Sequence, residues 1–410
     1  MRWTQIHNAL FTLFFGVWLI FPQITGPYLG LLFLSTLIGC ITKAAHFSWS
    51  WKFSPWVILF LLYGVSILFS AEPALELGSL ERKLSLLAFP ILFSFTWKAS
   101  IDLRNVWLVH VLACFVLVIL AFADSFYCAG TLGETVRCFS TSYFSQIHHP
   151  TYFSAFLIFA IVGLLYNRVA WFDSKPRGFR LLLMALFALI HINLGALGGI
   201  LALLLVFAIY FFLRFKNRLG YVKSTLLVAL LFLLLFLTAY GSAEIRADIN
   251  NAFSYTRQYF ENPSAFAQGR KEPLEGNEVR LILWTASLKI LQEHPLGVGI
   301  GGMEQKMSRQ LIEWGYPKQA SKQFNPHNQF LQVTNEIGLL GLLLFLLIFF
   351  GGYRWTASDY QKEVLLFTFS FFVLCLFESM LQRQSGIVFF LSWLGLFMFN
   401  SKSLVTWNGR

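Results

Sequence analysis

The chain has 410 residues, 57% of them hydrophobic and only 12% charged, with mean hydropathy +0.64 and net charge +11. Soluble domains carry about 25% charged residues, so an ordinary soluble domain is excluded. The composition fits an all-α polytopic membrane protein, with 1–410 forming a single integral membrane domain. The positive charge follows the inner loops and is inner-leaflet anchoring, so no nucleic-acid partner is expected.

Twelve apolar segments, each near the roughly 20 residues that span a bilayer, lie at about 7–25, 28–43, 55–71, 84–98, 106–126, 151–168, 180–195, 197–214, 222–240, 327–350, 362–379 and 385–400. The first has no small-residue cleavage site after it and reads as a helix that stays. The seventh and eighth meet in a tight turn around Gly195–Gly199. With the N-terminus in the cytoplasm, the inner side receives seventeen of the 31 Lys and Arg, from Arg2, Lys43 and Lys52 through to Lys402 and Arg410. The short outer loops hold only Arg82, Lys83, Arg137 and Arg383. That asymmetry puts both termini inside.

Cys40, Cys114 and Cys375 fall within spans, whereas Cys128 and Cys138 share the outer loop 127–149. An oxidising compartment would allow a bridge there. The largest interruption is 241–326, an outer loop too long to be structureless. One amphipathic helix reads from Glu278 to Glu293, stopped by His294-Pro295, and is expected at the membrane surface. The glycine-rich turn Pro295–Gly302 lacks the Gly-Lys-Ser/Thr of a nucleotide loop and reads as close packing. A second helix is expected around Glu304–Trp314, before a turn at Gly315–Pro317.

The loop re-enters the membrane at Asn325-Pro326-His327-Asn328-Gln329-Phe330-Leu331, followed by Glu336-Ile337-Gly338. Histidine exchanges a proton near neutral pH. Asn328, Gln332, Asn335 and Glu336 lie at i, i+4, i+7 and i+8, one helical face. Polar groups are costly in lipid, so this face should turn into a bundle or wet cavity. The bland alternative is a solvated loop end with satisfied amides. Other polar groups expected on the outer side are Arg82, Lys83, Arg137, His148, His149, Arg280 and Arg383, the last following Glu378. Cations at a membrane surface suit a lipid-linked diphosphate, and arginine's planar fork suits it best. Simple snorkelling of Arg82 and Lys83 to headgroups is the competing account. No Asp-x-Asp pair or His/Cys spacing suggests a metal, so neither metal nor cofactor is expected.

Arg280-Leu281-Ile282-Leu283-Trp284, then Pro295-Leu296-Gly297-Val298-Gly299, then Pro326–Leu331 with Glu336-Ile337-Gly338 resembles the signature of the O-antigen ligase/polymerase family over about 278–345. His148-His149-Pro150-Thr151-Tyr152 and Glu378 to Gly386 look like family segments, less specifically. The resemblance implies a C-type glycosyltransferase fold of the bacterial inner membrane, its periplasmic loop capping a cavity. It implies transfer of a glycan from a polyprenyl-diphosphate carrier to a hydroxyl, most simply on lipid A core, with inversion and without metal. Carried over, Arg280 steadies the leaving diphosphate and His327 deprotonates the acceptor. Arg82, Lys83, His148, His149, Asn328, Gln332, Glu378 and Arg383 would line the substrates. Many relatives have Ser-Arg where span seven turns into span eight. Here Leu197 stands at the Arg position: either another cation replaces it, with Arg82 or Lys83 expected to join Arg280 and His327 around one cavity, or donor binding is weaker, or the chain has lost activity. A polymerase and a protein O-oligosaccharyltransferase share this signature. A glycolipid transporter would instead predict paired broken helices and an internal repeat.

Overall fold

The computed structural model describes residues 2–69, 73–240, 243–270, 274, 276–356 and 358–400. Lys402 and Arg410, counted above toward the inner side, lie outside these residues, as do positions 70–71 of the third apolar segment and Gly241.

The described chain is almost wholly helical. The first part contains α1 (Arg2–Ile20), α2 (Thr25–Ile41), α3 (Ser54–Ser66), α4 (Pro73–Lys83), α5 (Ser85–Phe93) and α6 (Leu103–Leu132). Short turns α7 (Thr135–Cys138) and α8 (Thr141–Phe144) lead to α9 (Pro150–Leu165), α10 (Arg177–Leu194) and α11 (Leu197–Tyr240). The outer loop forms α12 (Ala243–Glu261), α13 (Pro263–Gly269), α14 (Gly276–Glu293), α15 (Gly302–Glu313) and α16 (Pro317–Ala320). The chain then returns as α17 (Gln329–Trp355), α18 (Gln361–Phe377) and α19 (Gln384–Asn400).

Among the described residues, five helical stretches are long and apolar enough to cross a membrane: Pro22–Ile41, Leu103–Leu132, Arg177–Leu194, Leu197–Leu230 and Gln329–Trp355. Three shorter apolar helices join them, Trp51–Ser66, Pro150–Leu165 and Gln384–Phe399. The all-α polytopic class stands, but the apolar segment 84–98 is not one spanning helix. Its helix is the nine-residue α5, which ends where Ser94 turns its hydroxyl onto Pro90 O at 2.7 Å. The chain continues as β2 (Phe95–Trp97), antiparallel to β1 (Ala45–Phe47). Apolar periodicity does not distinguish a short strand of Phe, Thr and Trp from the end of a helix.

α9 is the axis of the bundle. Every residue from Pro150 to Leu164 is buried, as expected of a helix that is apolar all round. It packs against α6, α10, α11, α18 and α19, and Gly163 lets Trp107 lie directly on its backbone. The outer loop has a separate core, in which Ile282, Leu283, Ala286 and Ile290 of α14 meet Met303, Met307, Leu311 and Tyr316. The apolar face of α14 is therefore packed against protein, an alternative to the lipid contact expected of an amphipathic surface helix. Its amphipathic pattern is the same in both cases, and only the partners α15 and α17 distinguish them.

α17 is broken at Ile337 (φ −139°) and Gly338 (φ 71°). The break frees the Asn335 and Glu336 carbonyls, which accept from Val298 N (2.7 Å) and Gly299 N (3.0 Å). The glycine-rich turn thus docks on the broken helix and satisfies backbone that lipid could not. Gly297 has φ +95°, and a Cβ there would sit 2.5 Å from Glu336 O. Gly297→Ala should lower stability by about 1–3 kcal/mol. Gly302→Ala is the control, since its Cβ would meet only Val298 at 3.5 Å. Equal melting temperatures for the two purified variants would contradict this account of the turn.

Candidate functional site

His327 is presented by a short, strongly tied turn. Pro326 O accepts from Trp284 Nε1 (3.0 Å), one helical turn after Arg280 on α14. His327 has φ +46°, a region histidine enters more readily than most residues. Its N–H donates to Asn325 Oδ1 (2.9 Å), which also accepts from Ser379 Oγ at 3.1 Å. Asn328 then caps α17, its Oδ1 accepting from Phe330 N (3.0 Å) and Leu331 N (3.1 Å). Its Nδ2 donates to Leu376 O at 3.3 Å, fastening the start of α17 to the end of α18.

The imidazole faces Glu378, with Nδ1 3.2 Å from Oε2. Glu378 is 5% exposed. Its other oxygen, Oε1, accepts from the Ser379 N–H at 3.1 Å. His149 lies close enough to feel Glu378, Arg383, His327 and Arg280; burial, the largest influence, lowers it. Its Nδ1 is buried without a hydrogen-bond partner among the described residues. Burial also lowers Arg280, against the pull of Glu378. His327, Glu378, His149, Arg280 and Arg383 therefore form one electrostatic neighbourhood, with Arg383 exposed at its rim. It offers a hydrogen-bonded imidazole–carboxylate pair beside two guanidinium groups.

Other residues expected to touch substrate turn inward. His148 is 3% exposed, and both ring nitrogens are engaged, Nδ1 with Ser385 Oγ (2.9 Å) and Nε2 with Leu19 O (2.6 Å). Asn328 serves as a cap, and Gln332, fully buried, donates to Glu336 Oε1 at 2.7 Å. Lys83 is 1% exposed and donates to Leu381 O (2.9 Å) and Gln382 Oε1 (3.1 Å). Its ammonium is enclosed by protein and faces neither lipid headgroups nor an open donor site. Arg82 is exposed, with Nη2 2.7 Å from Ser79 Oγ. Leu197 is 59% exposed at the start of α11, and the neighbouring Gly198 packs on Phe377, so this turn lies beside the end of α18.

Sequence reasoning did not single out Asn325, Trp284, Ser379, Gln382 or Glu304 as site residues. Asn325 and Trp284 stand inside recognised motifs, so position alone could have flagged them. Ser379 and Gln382 lie within the family-like segment Glu378 to Gly386, whereas Glu304 carries no local signal. Among the described residues, no group of three or more His, Cys, Asp or Glu is arranged to hold a metal.

Residues 181–346 match the family model described as O-antigen ligase. The match takes in Arg280, Glu304, His327 and Glu336 and stops short of Glu378 and Arg383. No curated protein matches the chain.

Glu304, in the first turn of α15, is pushed up to about 7 by burial and then by the Glu336 carboxylate, against its own backbone N–H, Arg82 and Lys83. Its ordinary value is 4.5. The folded chain thus keeps a proton the unfolded chain has lost, and stability from this group falls as pH rises from 4.5 to about 7. The melting temperature should fall between about pH 5 and pH 8, and Glu304→Gln should flatten that decline. Parallel curves for the two proteins would refute it.

Proposed function

We propose that this chain, which belongs through residues 181–346 to the O-antigen ligase family, moves a glycan from a polyprenyl-diphosphate carrier to an acceptor hydroxyl, on lipid A core in the first instance. The observation that carries the reading is the His327–Glu378 contact beside Arg280 and Arg383. If Nδ1 donates to the Glu378 carboxylate, the tautomer leaves Nε2 as the acceptor nitrogen. His327 then takes the proton of the attacking hydroxyl. The new glycosidic bond forms as the anomeric carbon–oxygen bond to diphosphate breaks. The electron pair leaves with the diphosphate, whose charge Arg280 and Arg383 meet. Attack opposite the leaving group inverts the anomeric centre. Arg280 and Arg383 suffice in this scheme without a metal, and His149, with its unpartnered Nδ1, offers a further contact to the glycan.

The site is assigned to the periplasmic face of the inner membrane. Cys128 and Cys138 are joined in a disulfide, with Cα atoms 5.7 Å apart, in the connection that runs directly to His149. Disulfides persist in oxidising compartments, which supports an outward-facing end of the bundle at His149, His327 and Glu378.

Transfer is measured with purified protein, a defined polyprenyl-diphosphate glycan and lipid A core. His327→Ala should lose about 10²–10⁴-fold in turnover while still purifying normally, and Glu378→Gln should lose less. Arg280→Lys keeps the charge, loses the paired geometry and should remain strongly impaired. EDTA should leave the wild type active. Near wild-type turnover of His327→Ala would end the reading. In a deletion strain, loss of all long glycan from lipid A supports ligation. A single repeat unit on lipid A indicates a polymerase, and unglycosylated protein with normal lipopolysaccharide indicates a protein glycosyltransferase.

A further inference from the structure

The segment Glu378–Gln382, between α18 and α19, leaves the helix while wholly buried; none of its five residues is more than 6% exposed. Each backbone group it frees must find a partner inside the protein. Ser379 O accepts from Tyr152 Oη (3.3 Å), and Leu381 N donates to Gln329 Oε1 (2.6 Å). Leu381 O accepts from Lys83 Nζ (2.9 Å). Gln382 then does something different. Its Oε1 accepts from Lys83 Nζ at 3.1 Å, and its Nε2 donates to Glu336 Oε1. One amide thus stands between an ammonium and a carboxylate, both 1% exposed, on elements far apart in sequence. Glu336 is also the carboxylate that the Lys83 ammonium feels most strongly.

We infer that Lys83, Gln382 and Glu336 form an amide-bridged buried ion pair whose task is to hold Glu378 against His327. They are positioning residues for the transfer reaction proposed above, and the inference rests on that reading. The turn that follows Glu378 is tight. Met380 N donates to Glu378 O (2.9 Å) and Gln382 N to Ser379 O (3.0 Å), so displacing Gln382 displaces Glu378. On the other side, Glu336 and Gln329 belong to the half of α17 that begins just after His327. The brace therefore fixes both partners of the imidazole–carboxylate pair from one place. An isolated charge buried here would be strongly unfavourable, whereas a bridged pair tolerates burial. Removing one end should therefore harm more than removing both.

Two experiments test this on the full-length protein. In the first, thermal unfolding is followed for Lys83→Met, Glu336→Gln and the double variant. The double variant should melt above at least one of the singles; simple additivity would overturn the bridge. In the second, Gln382→Leu is compared with wild type in transfer assays. It should lower kcat by about tenfold, the size of a one-contact coupling, with little change in donor KM. In the Glu378→Gln background the same substitution should lower kcat no further, because the group it positions is already gone. A merely structural role would lower activity equally in both backgrounds, and that result, or an unchanged kcat in wild type, overturns the positioning role. Gln382→Asn, too short to reach both charges, repeats the test with the amide retained. If the wild type transfers no glycan to any acceptor, the proposed function fails. The buried pair is then judged by the thermal cycle alone, where additivity still refutes it.

Discussion

Backbone that leaves a helix inside a membrane protein must have its N–H and C=O groups paired by protein, because lipid offers no substitute. Among the described residues, this chain leaves the helix in buried surroundings at the Ile337–Gly338 break and the Glu378–Gln382 segment. The glycine-rich turn of the outer loop answers the first by donating Val298 N and Gly299 N to the exposed carbonyls. The second is answered by side chains, namely Gln329, Lys83 and Tyr152. The first set of bonds fastens the outer loop to α17, and the second fastens the Glu378 segment to α17, α4 and α9. His327 lies between them, so its surroundings are fixed by the need to satisfy backbone.

The same constraint reinterprets the polar face of α17. Asn328, Gln329, Gln332, Asn335 and Glu336 are all 8% exposed or less. Asn328 caps the helix, Gln329 pairs a peptide N–H, Gln332 donates to Glu336, which also accepts from Gln382, and Asn335 donates to Ser287 of α14 at 2.9 Å. The face points into the bundle, where hydrocarbon cannot reach it. Most of its polarity builds the scaffold around the imidazole.

What the sequence made legible follows from how local each signal is. The loop helices were readable because caps and stops are short-range; Glu278–Glu293 differs from the observed Gly276–Glu293 only at its start. His327 and Arg280 were readable because their neighbours form a compact motif. The strand Phe95–Trp97 was hidden because its partner lies fifty residues earlier, at Ala45–Phe47. The break in α17 was hidden too: Gly338 alone is tolerated within a helix, and only the approach of Leu296, 3.1 Å from where a Cβ would stand, shows why glycine is required. The partners of Lys83 were hidden for the same reason. As a cation at the start of an apolar run it resembles a snorkelling or phosphate-binding residue, and nothing near it in sequence announces Leu381 and Gln382.

The inward turn of Lys83 bears on how the outer loop relates to the bundle. Glu304 projects from α15 toward Lys83, Arg82 and Glu336, so the buried pair has a third charged neighbour that belongs to the loop. When Glu304 carries its charge, it faces the Glu336 carboxylate, and only Lys83 and Arg82 offset the repulsion. Two of the points where the loop meets the bundle differ in character. One consists of backbone hydrogen bonds from the glycine turn, which do not depend on pH. The other is a carboxyl whose charge state changes near neutrality. Arg280 lies on α14, whose apolar face helps build the loop's own core, and His327 lies at the boundary. The spacing between Arg280 and His327 is therefore set where loop and bundle meet, more than within either.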